Sequence, residues 1–225
     1  SKGRCGVVRG PGRTAVSRGA LPDAFFIGAI RRRPTHSNIR QPGFGVGGYC
    51  LTKDPLFAGI AARRLFKRED LKFPFCERAV AVNDAMPLVT LQKLAAVLGG
   101  LSGKRIALFG VSYRQDVGDT RYSPSETFVR AATKQGATVI SHDPLVQHWD
   151  EMALDLAPTP PSAANIDAAV FAVPHREYAT MDLVSWIGPA RPVVLDANSV
   201  LSPAQRRALH DAGCRVVCIG MGTPA

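Results

Sequence analysis

No apolar run in this sequence approaches the roughly 20 residues that a membrane-spanning helix needs. The first residues are rich in Arg and Gly and lack the apolar segment of a secretory signal. No membrane partner is therefore expected. Cysteine is scarce and scattered. Cys5, Cys50, Cys76, Cys214 and Cys218 form no CxxC pair and no zinc-ligand spacing. That excludes a zinc ribbon, and an odd set of thiols fits a reducing compartment, so a cytoplasmic location is expected. Cys214 and Cys218 read as core residues of a last strand. His142, His148 and His175 fall at turns without metal-ligand spacing, so no metal site is expected. Acidic residues are nearly missing from the first 40 positions, which carry one Asp against nine Lys and Arg, while the rest of the chain carries seventeen against nineteen. Most of the net charge of +10 thus sits in a basic head. That head lacks interleaved aromatics and a recognition helix, so nucleic-acid binding is not expected.

What is present divides the chain in three. Residues 1–30 show neither helical nor strand periodicity, and their composition predicts a disordered or loosely attached segment. Residues 31–100 hold a glycine-rich loop and then apolar residues at three- and four-residue steps from Phe57 to Leu98. Pro74 and Pro87 interrupt this pattern and predict at least two helices, with Pro87 near the start of the last or kinking it, and Gly99-Gly100 ending the region. From residue 101 onward the character changes. KRIALFGVSY, ATVISHDP, DAAVFAVPH, PVVLDAN and CRVVCIG are short apolar runs that end in polar residues. Between them SPSETFVRAATKQG and SPAQRRALHDAG read as capped helices, the first with Ser123 at the N-cap, Pro124 at the first position and Glu126 three residues on. Alternating strands and helices indicate a three-layer α/β domain on a parallel sheet. Ligands of such sheets lie outside the carboxyl ends of the strands, which places loop 110–123, His142-Asp143, Pro174-His175 and Asp196–Asn198 on one edge.

The stretch PGFGVGGYCLTKDP, 42–55, contains Gly43, Gly45 and Gly48 at G-x-G-x-x-G spacing. A dinucleotide cradle must leave a buried strand and open a helix. The preceding RRRPTHSNIRQ has a single aliphatic residue, Ile39, and cannot be a buried strand. The glycine pattern is therefore not a cofactor cradle. The loop instead presents Cys50: its glycines let backbone approach a ligand, and their N–H groups together with Lys53 would favour a thiolate. Asp54 could orient a base or a water. The alternative is that Cys50 is a small hydrophobe packed under a turn.

Three segments carry a resemblance. HSNIRQPGFGVGGYCLTKDPLF resembles the active-site loop of the UDP-glucose/GDP-mannose dehydrogenase family, with Gly47, Gly48, Tyr49, Cys50, Leu51, Thr52, Lys53 and Asp54 in the family's G-G-x-C…K-D order. FGVSYRQDVGDTRYSPSE, 109–126, resembles the opening of its C-terminal nucleotide-binding domain, and VNDAMP, 82–87, is similar to part of its central dimerisation helix. Together these cover roughly residues 33–220.

The resemblance implies a nucleotide-sugar 6-dehydrogenase that oxidises a UDP-hexose, with UDP-glucose expected, to the uronic acid with two NAD. Cys50 would attack the intermediate aldehyde to give a thiohemiacetal and then a thioester. Asp54 would hold the hydrolytic water or a partner lysine, and Gly47 and Lys53 would meet the substrate. Tyr113 and Arg114 match positions that hold the uridine nucleotide; the family usually has lysine where Arg114 stands, and either cation suits a diphosphate. Arg121 matches an arginine at the cofactor edge. The expected fold is a central helical segment followed by a Rossmann-like, three-layer α/β UDP-binding domain, without the family's N-terminal NAD domain. The isolated chain is then expected to be inactive, and to act as a homodimer or with a complementing chain that carries the NAD domain. A non-catalytic UDP-sugar-binding or dimerisation module is the alternative. For residues 1–30, which match nothing in the family, an out-of-frame translation product is one expectation.

Overall fold

The computed structural model describes residues 23–36, 39 and 41–221, so the greater part of the basic head, with Cys5, lies outside the described residues. Its elements in chain order are helices α1 (Asp23–Ile30), α2 (Phe57–Arg64) and α3 (Pro74–Leu98), strand β1 (Arg105–Phe109), α4 (Pro124–Lys134), β2 (Thr138–His142), the short β3 (His148–Trp149) and β4 (Leu154–Asp155), β5 (Ala168–Phe171), α5 (Arg176–Thr180), α6 (Leu183–Ile187), β6 (Val193–Asp196), α7 (Pro203–Asp211) and β7 (Val216–Cys218). Residues 23–30, read from sequence as irregular, are helical. DAFFIGAI is apolar nearly all round, so it carries no 3.6-residue alternation for a periodicity argument to detect.

Five strands form one parallel sheet in the order β2-β1-β5-β6-β7, and β3 and β4 pair antiparallel apart from it. Every strand foreseen from an apolar run is present. Parallel strands need both faces covered, and the sequence supplies the cover. On one face α3 and α4 bury Leu91, Leu94, Phe128 and Val129 against Ile106, Leu108 and Val170. On the other, α5, α6 and α7 bury Tyr178, Leu183, Ile187 and Leu209 against Phe109, Phe171 and Val194. The result is the expected three-layer α/β lobe, with the last turns of α3 built into one layer.

Capping follows the residues. Ser123 accepts a hydrogen bond from Ser125 N at 3.2 Å. The box expected with Glu126 does not form, because Glu126 pairs with Arg130 one turn on at 2.7 Å. The full box appears at α7 instead, where Ser202 and Gln205 exchange both bonds. Gly99 ends α3 at φ 73, a conformation glycine adopts without strain. Pro87 was expected near a helix start or at a kink, and it lies buried inside the single 25-residue α3. Lacking an N–H, it leaves the carbonyl of Asn83 without its helical donor, and that carbonyl faces the glycine loop.

Strand β1 has β2 on one side and β5 on the other. Chain connections therefore leave β1 and β5 in opposite directions, which opens a crevice at their carboxyl ends. The loop after β1 and the loop after β5 form its two walls.

Candidate active site and nucleotide crevice

The glycine loop lies along the carboxyl edge of the sheet. A Cβ on Gly220, after β7, would strike Pro42, and one on Gly43 would strike the Asn198 side chain, after β6. A Cβ on Gly47 would stand 2.6 Å from Tyr122 O, 2.8 Å from Tyr113 Cβ and 2.9 Å from Pro124 Cδ, and one on Gly48 would stand 2.8 Å from the Tyr113 ring. Phe44 is buried and packs its ring 5.6 Å from that of Phe128. These glycines thus press the loop onto the lobe. The side of Gly47 on which a side chain would stand is packed by Tyr113, Tyr122 and Pro124.

Asn83 fastens the loop from the other side. Val46 N donates to Asn83 Oδ1 at 2.7 Å, and Asn83 Nδ2 donates to Val46 O at 2.8 Å. Gly45, at φ 116, lies against the Asn83 carbonyl that Pro87 frees: a Cβ added there would stand 3.3 Å from that oxygen. Sequence reasoning missed Asn83. The available signal was an Asn in mid-helix four residues before a proline, a pairing that costs helix stability unless something else uses the freed groups.

Cys50 stands exposed in the turn that follows, which removes the buried-hydrophobe alternative. Its carbonyl accepts from Asp54 N at 2.9 Å and from Lys53 N at 3.2 Å, closing the turn, and Thr52 Oγ1 donates to Gly48 O at 2.8 Å. Lys53 Nζ bonds Asp54 Oδ1 at 2.7 Å and sits 4.1 and 4.5 Å from the ring centres of Tyr49 and Phe57. The Asp54 hydrogen bond, partly offset by desolvation, raises the Lys53 ammonium above its ordinary value. Lys53 and Asp54 therefore act as a pair beside the thiol.

Tyr49, next to Cys50, meets Tyr122 edge-on at 5.6 Å, and so joins the thiol turn to the loop of Arg121. Tyr122 holds φ 55, a conformation bulky residues seldom adopt and one that clusters at functional sites. Arg121 folds back on Asp119 as a fork, with Nε–Oδ1 at 3.0 Å and Nη2–Oδ2 at 2.6 Å. Asp119 also accepts from Tyr113 N through its carbonyl at 2.8 Å. Arg114 is exposed and forms no ion pair among the described residues. Gly47 thus packs on Tyr113, and Tyr49 links the turn of Cys50, Lys53 and Asp54 to the loop that carries Arg114 and Arg121, so two segments far apart in sequence meet at the β1 wall.

Behind that rim lies a buried polar network. Asp143 Oδ2 accepts from Val111 N at 2.9 Å, Ser112 N at 3.0 Å, Ser112 Oγ at 2.9 Å and His175 Nε2 at 3.1 Å, and Oδ1 accepts from Leu145 N at 3.0 Å. His175 Nδ1 accepts from Asp116 N at 3.0 Å, so the imidazole proton sits on Nε2. Burial pushes the Asp143 carboxyl up, but the hydrogen bond from His175 and the backbone donors outweigh it and hold the group at about 2. Burial pushes His142 below its ordinary value of 6.5 against the pull of Glu177 and Asp143; its Nδ1 lies 3.0 Å from the Tyr178 hydroxyl. Burial raises Asp196, which caps the turn after β6. His142 and His175 are buried and hydrogen-bonded, whereas His148 is exposed and pairs with Asp155 at 2.6 Å; among the described residues no group of three or more His, Cys, Asp or Glu is placed to hold a metal ion. No described helix is long and apolar enough to cross a membrane.

These shifts fix how acid acts on the fold. His142 and Asp143 both bind protons less readily folded than unfolded, so each contributes stability above its unfolded value that is lost as pH falls. For His142 the loss starts near pH 6.5. For Asp143 it runs from about 3.8 down to about 2 and amounts to about 2 kcal/mol. Asp196 has the opposite sign and offsets part of the second step. Urea midpoints are expected to fall between pH 7 and 5 in the native chain and to stay flatter in His142→Gln; equal slopes would show that His142 does not carry the effect.

Comparison with known proteins agrees with this fold. Residues 107–203 match the model of the UDP-binding domain of the UDP-glucose/GDP-mannose dehydrogenase family. The UDP-N-acetyl-D-mannosamine dehydrogenase of Methanococcus maripaludis is 29% identical over 199 residues, 86% of this chain and 43% of that protein. The NDP-N-acetyl-D-galactosaminuronic acid dehydrogenase of Ralstonia solanacearum is 29% identical over 157 residues, 68% of this chain and 36% of that protein. Among solved structures, the NDP-N-acetyl-D-galactosaminuronic acid dehydrogenase of Methanosarcina mazei Go1 superposes with a TM-score of 0.75 at 24% identity, covering 89% of this chain and 44% of that one. The chain spans less than half the length of the proteins it matches. The matched lobe is thus the UDP-binding domain of the UDP-glucose/GDP-mannose dehydrogenase family, and relatives named as nucleotide-sugar dehydrogenases extend the likeness across the glycine loop.

Proposed function

We propose that the chain supplies the thiol and the nucleotide grip of an NAD-dependent nucleotide-sugar 6-dehydrogenase acting on a UDP-hexose. The observation that carries this reading is the exposed Cys50, two residues after Gly48, which with Gly47 packs on Tyr113, whose neighbour Arg114 is exposed and without an ion pair among the described residues. Tyr113 and Arg114 would hold the uridine diphosphate, Arg114 as a fork on phosphate oxygens. The diphosphate then anchors the hexose with its C6 toward the thiol turn. A sulfur is suited to attack at an aldehyde carbon, where it forms a C–S bond as the carbonyl oxygen takes a proton, and it leaves readily on hydrolysis of a thioester. Asp54, with Lys53 against it, would orient the hydrolytic water. NAD, when bound, accepts the hydrides; its dinucleotide is not held by the glycines of this loop, and Arg121 would meet it only at an edge.

The sequence resemblance points to UDP-glucose, whereas the two sequence relatives above are named for N-acetylated sugars. We take UDP-hexose as the substrate class. A homodimer, or a chain completing the site, would cover the apolar side chains left exposed on and between α2 and α3: Phe75 is 85%, Leu65 73% and Phe66 70% exposed.

Two measurements test the reading. UDP binding by calorimetry should weaken about tenfold in Arg114→Ala, the loss of one charge-assisted contact. Iodoacetamide should alkylate Cys50 well ahead of the buried Cys214, and a UDP-hexose should slow that reaction. UDP-glucose and UDP-N-acetylmannosamine, compared side by side, identify the preferred sugar. Absence of UDP binding, or alkylation indifferent to both sugars at saturating UDP affinity, would refute the proposal.

A further inference from the structure

The Asp143–His175 pair takes no part in the chemistry above, yet it is sealed in the lobe with both side chains almost wholly buried. We propose that this pair is a positioning device for nucleotide binding: it sets the backbone of residues 112–116 from both ends and so aims Tyr113 and Arg114 at the diphosphate. The inference rests on the nucleotide-binding reading of those two residues.

The pair works through two arms that leave different elements. Asp143 follows β2 and fixes the near end of the loop, taking the N–H groups of Val111 and Ser112 and the Ser112 hydroxyl on a single oxygen. His175 precedes α5 and fixes the far end, accepting from Asp116 N through Nδ1 while donating to Asp143 through Nε2. One imidazole therefore bridges β2, the loop after β1 and the loop after β5. It spans the two walls of the crevice at the point where the strand order reverses.

A carboxylate needed only to cap the end of β1 would have no use for the second arm. That arm instead reaches Asp116, which holds φ 54, the left-handed region. Such a residue turns the chain sharply and stays there only if its surroundings hold it. The Asp116 side chain closes a ring: it accepts from Arg176 N at 3.1 Å and pairs with Arg176 Nε at 2.8 Å. Within this frame Tyr113 N is spoken for by Asp119 O. What remains for a ligand is the exposed tip at Arg114 and Gln115 and the half-buried ring of Tyr113. A tip with fixed ends loses little freedom when a diphosphate binds, which raises affinity without a further contact.

The test separates the arms on the full chain with UDP as the probe. In His175→Gln the amide nitrogen keeps a donor for Asp143, but the acceptor for Asp116 N is lost. In His175→Asn the carbonyl replaces Nδ1 and keeps the Asp116 arm. His175→Gln is expected to accelerate hydrogen exchange at Asp116 by at least about tenfold, with β1, β5 and β6 still protected, and to weaken UDP about tenfold. His175→Asn should bind UDP more tightly than His175→Gln. Ser112→Ala, which deletes one donor on Asp143, serves if neither histidine variant folds and should weaken UDP severalfold. UDP affinity within twofold of the native chain despite faster exchange at Asp116, or unchanged in Ser112→Ala, overturns the proposal while leaving the nucleotide site intact. Failure of the native chain to bind UDP would instead overturn the reading beneath it, and the proposal with it.

Discussion

Gly110→Ala is expected to lower the stability of the lobe by several kcal/mol. Gly110 follows β1 at φ 100, where an L side chain is strained. A Cβ there would stand 2.5 Å from Val173 Cβ, 2.7 Å from Val173 Cγ2 and 2.8 Å from Val173 N. Two costs add. The backbone conformation costs an alanine roughly 1–2 kcal/mol, and overpacking against a fixed neighbour costs about 1–3 kcal/mol. Together they amount to about 2–5 kcal/mol, or on the order of 10 °C in melting temperature for a chain of this size. Backbone bonds on both sides resist relief: Gly110 N donates to His142 O at 2.8 Å, and Gly110 O accepts from Ser125 Oγ at 2.9 Å. Val173→Ala should not rescue the variant, because the Cβ and N of residue 173 stay where they are. Thermal unfolding decides: a Gly110→Ala midpoint within about 2 °C of the native chain would mean that the loops after β1 and β5 do not approach so closely.

That crevice shows what the sequence could and could not carry. The strands were legible because a parallel strand must be apolar on both faces, so RIALF, AAVF and VVLD stand out against their polar ends. Ser202 with Gln205, and Gly99 after Leu98, were legible because a cap is a local contract between neighbours. Helices α5 and α6 were not foreseen: five residues are too few for a 3.6-residue period to declare itself. The hairpin of β3 and β4, two residues a strand, is shorter still. Pro87 misled for a different reason. Its cost to α3 is real, but the freed Asn83 carbonyl is placed against the glycine loop, and that compensation is tertiary. The same holds at the site. Cys50, Lys53 and Asp54 are sequence neighbours and could be read as a unit, whereas Asp143, His175 and Asp116 become one network only when three strand ends meet. The glycines were legible as permissive positions, but nothing local tells whether the atom they admit belongs to a ligand or to the protein. Here it belongs to the protein at Gly43, Gly47 and Gly48.

Gly47→Ala turns that last distinction into a measurement. Unlike Gly110, Gly47 does not need a left-handed backbone, so alanine meets no conformational penalty and the effect isolates the close approach. Its methyl would overlap Tyr122 O, Tyr113 Cβ and Pro124 Cδ at once. Two of these are backbone or ring atoms that cannot rotate away, and Pro124 is fixed at the start of α4. Relief requires the loop to lift. It is held on one side by the Asn83 clamp and on the other by Phe44 against Phe128, so the displacement falls on the stretch from Gly47 through Cys50. The Tyr49–Tyr122 contact then breaks and the thiol turn loses its register with Tyr113. The global cost should stay at about 1–3 kcal/mol, and the chain should remain folded. The functional cost should be larger. A UDP-hexose is expected to lose its protection of Cys50 against alkylation almost entirely, while UDP alone still binds through Arg114. Gly28→Ala, with no atom within 4 Å of its added methyl, provides the control and should change neither readout. Retained protection in Gly47→Ala would show that the thiol does not depend on this docking, and the link between the cysteine turn and the nucleotide lobe would have to be given up.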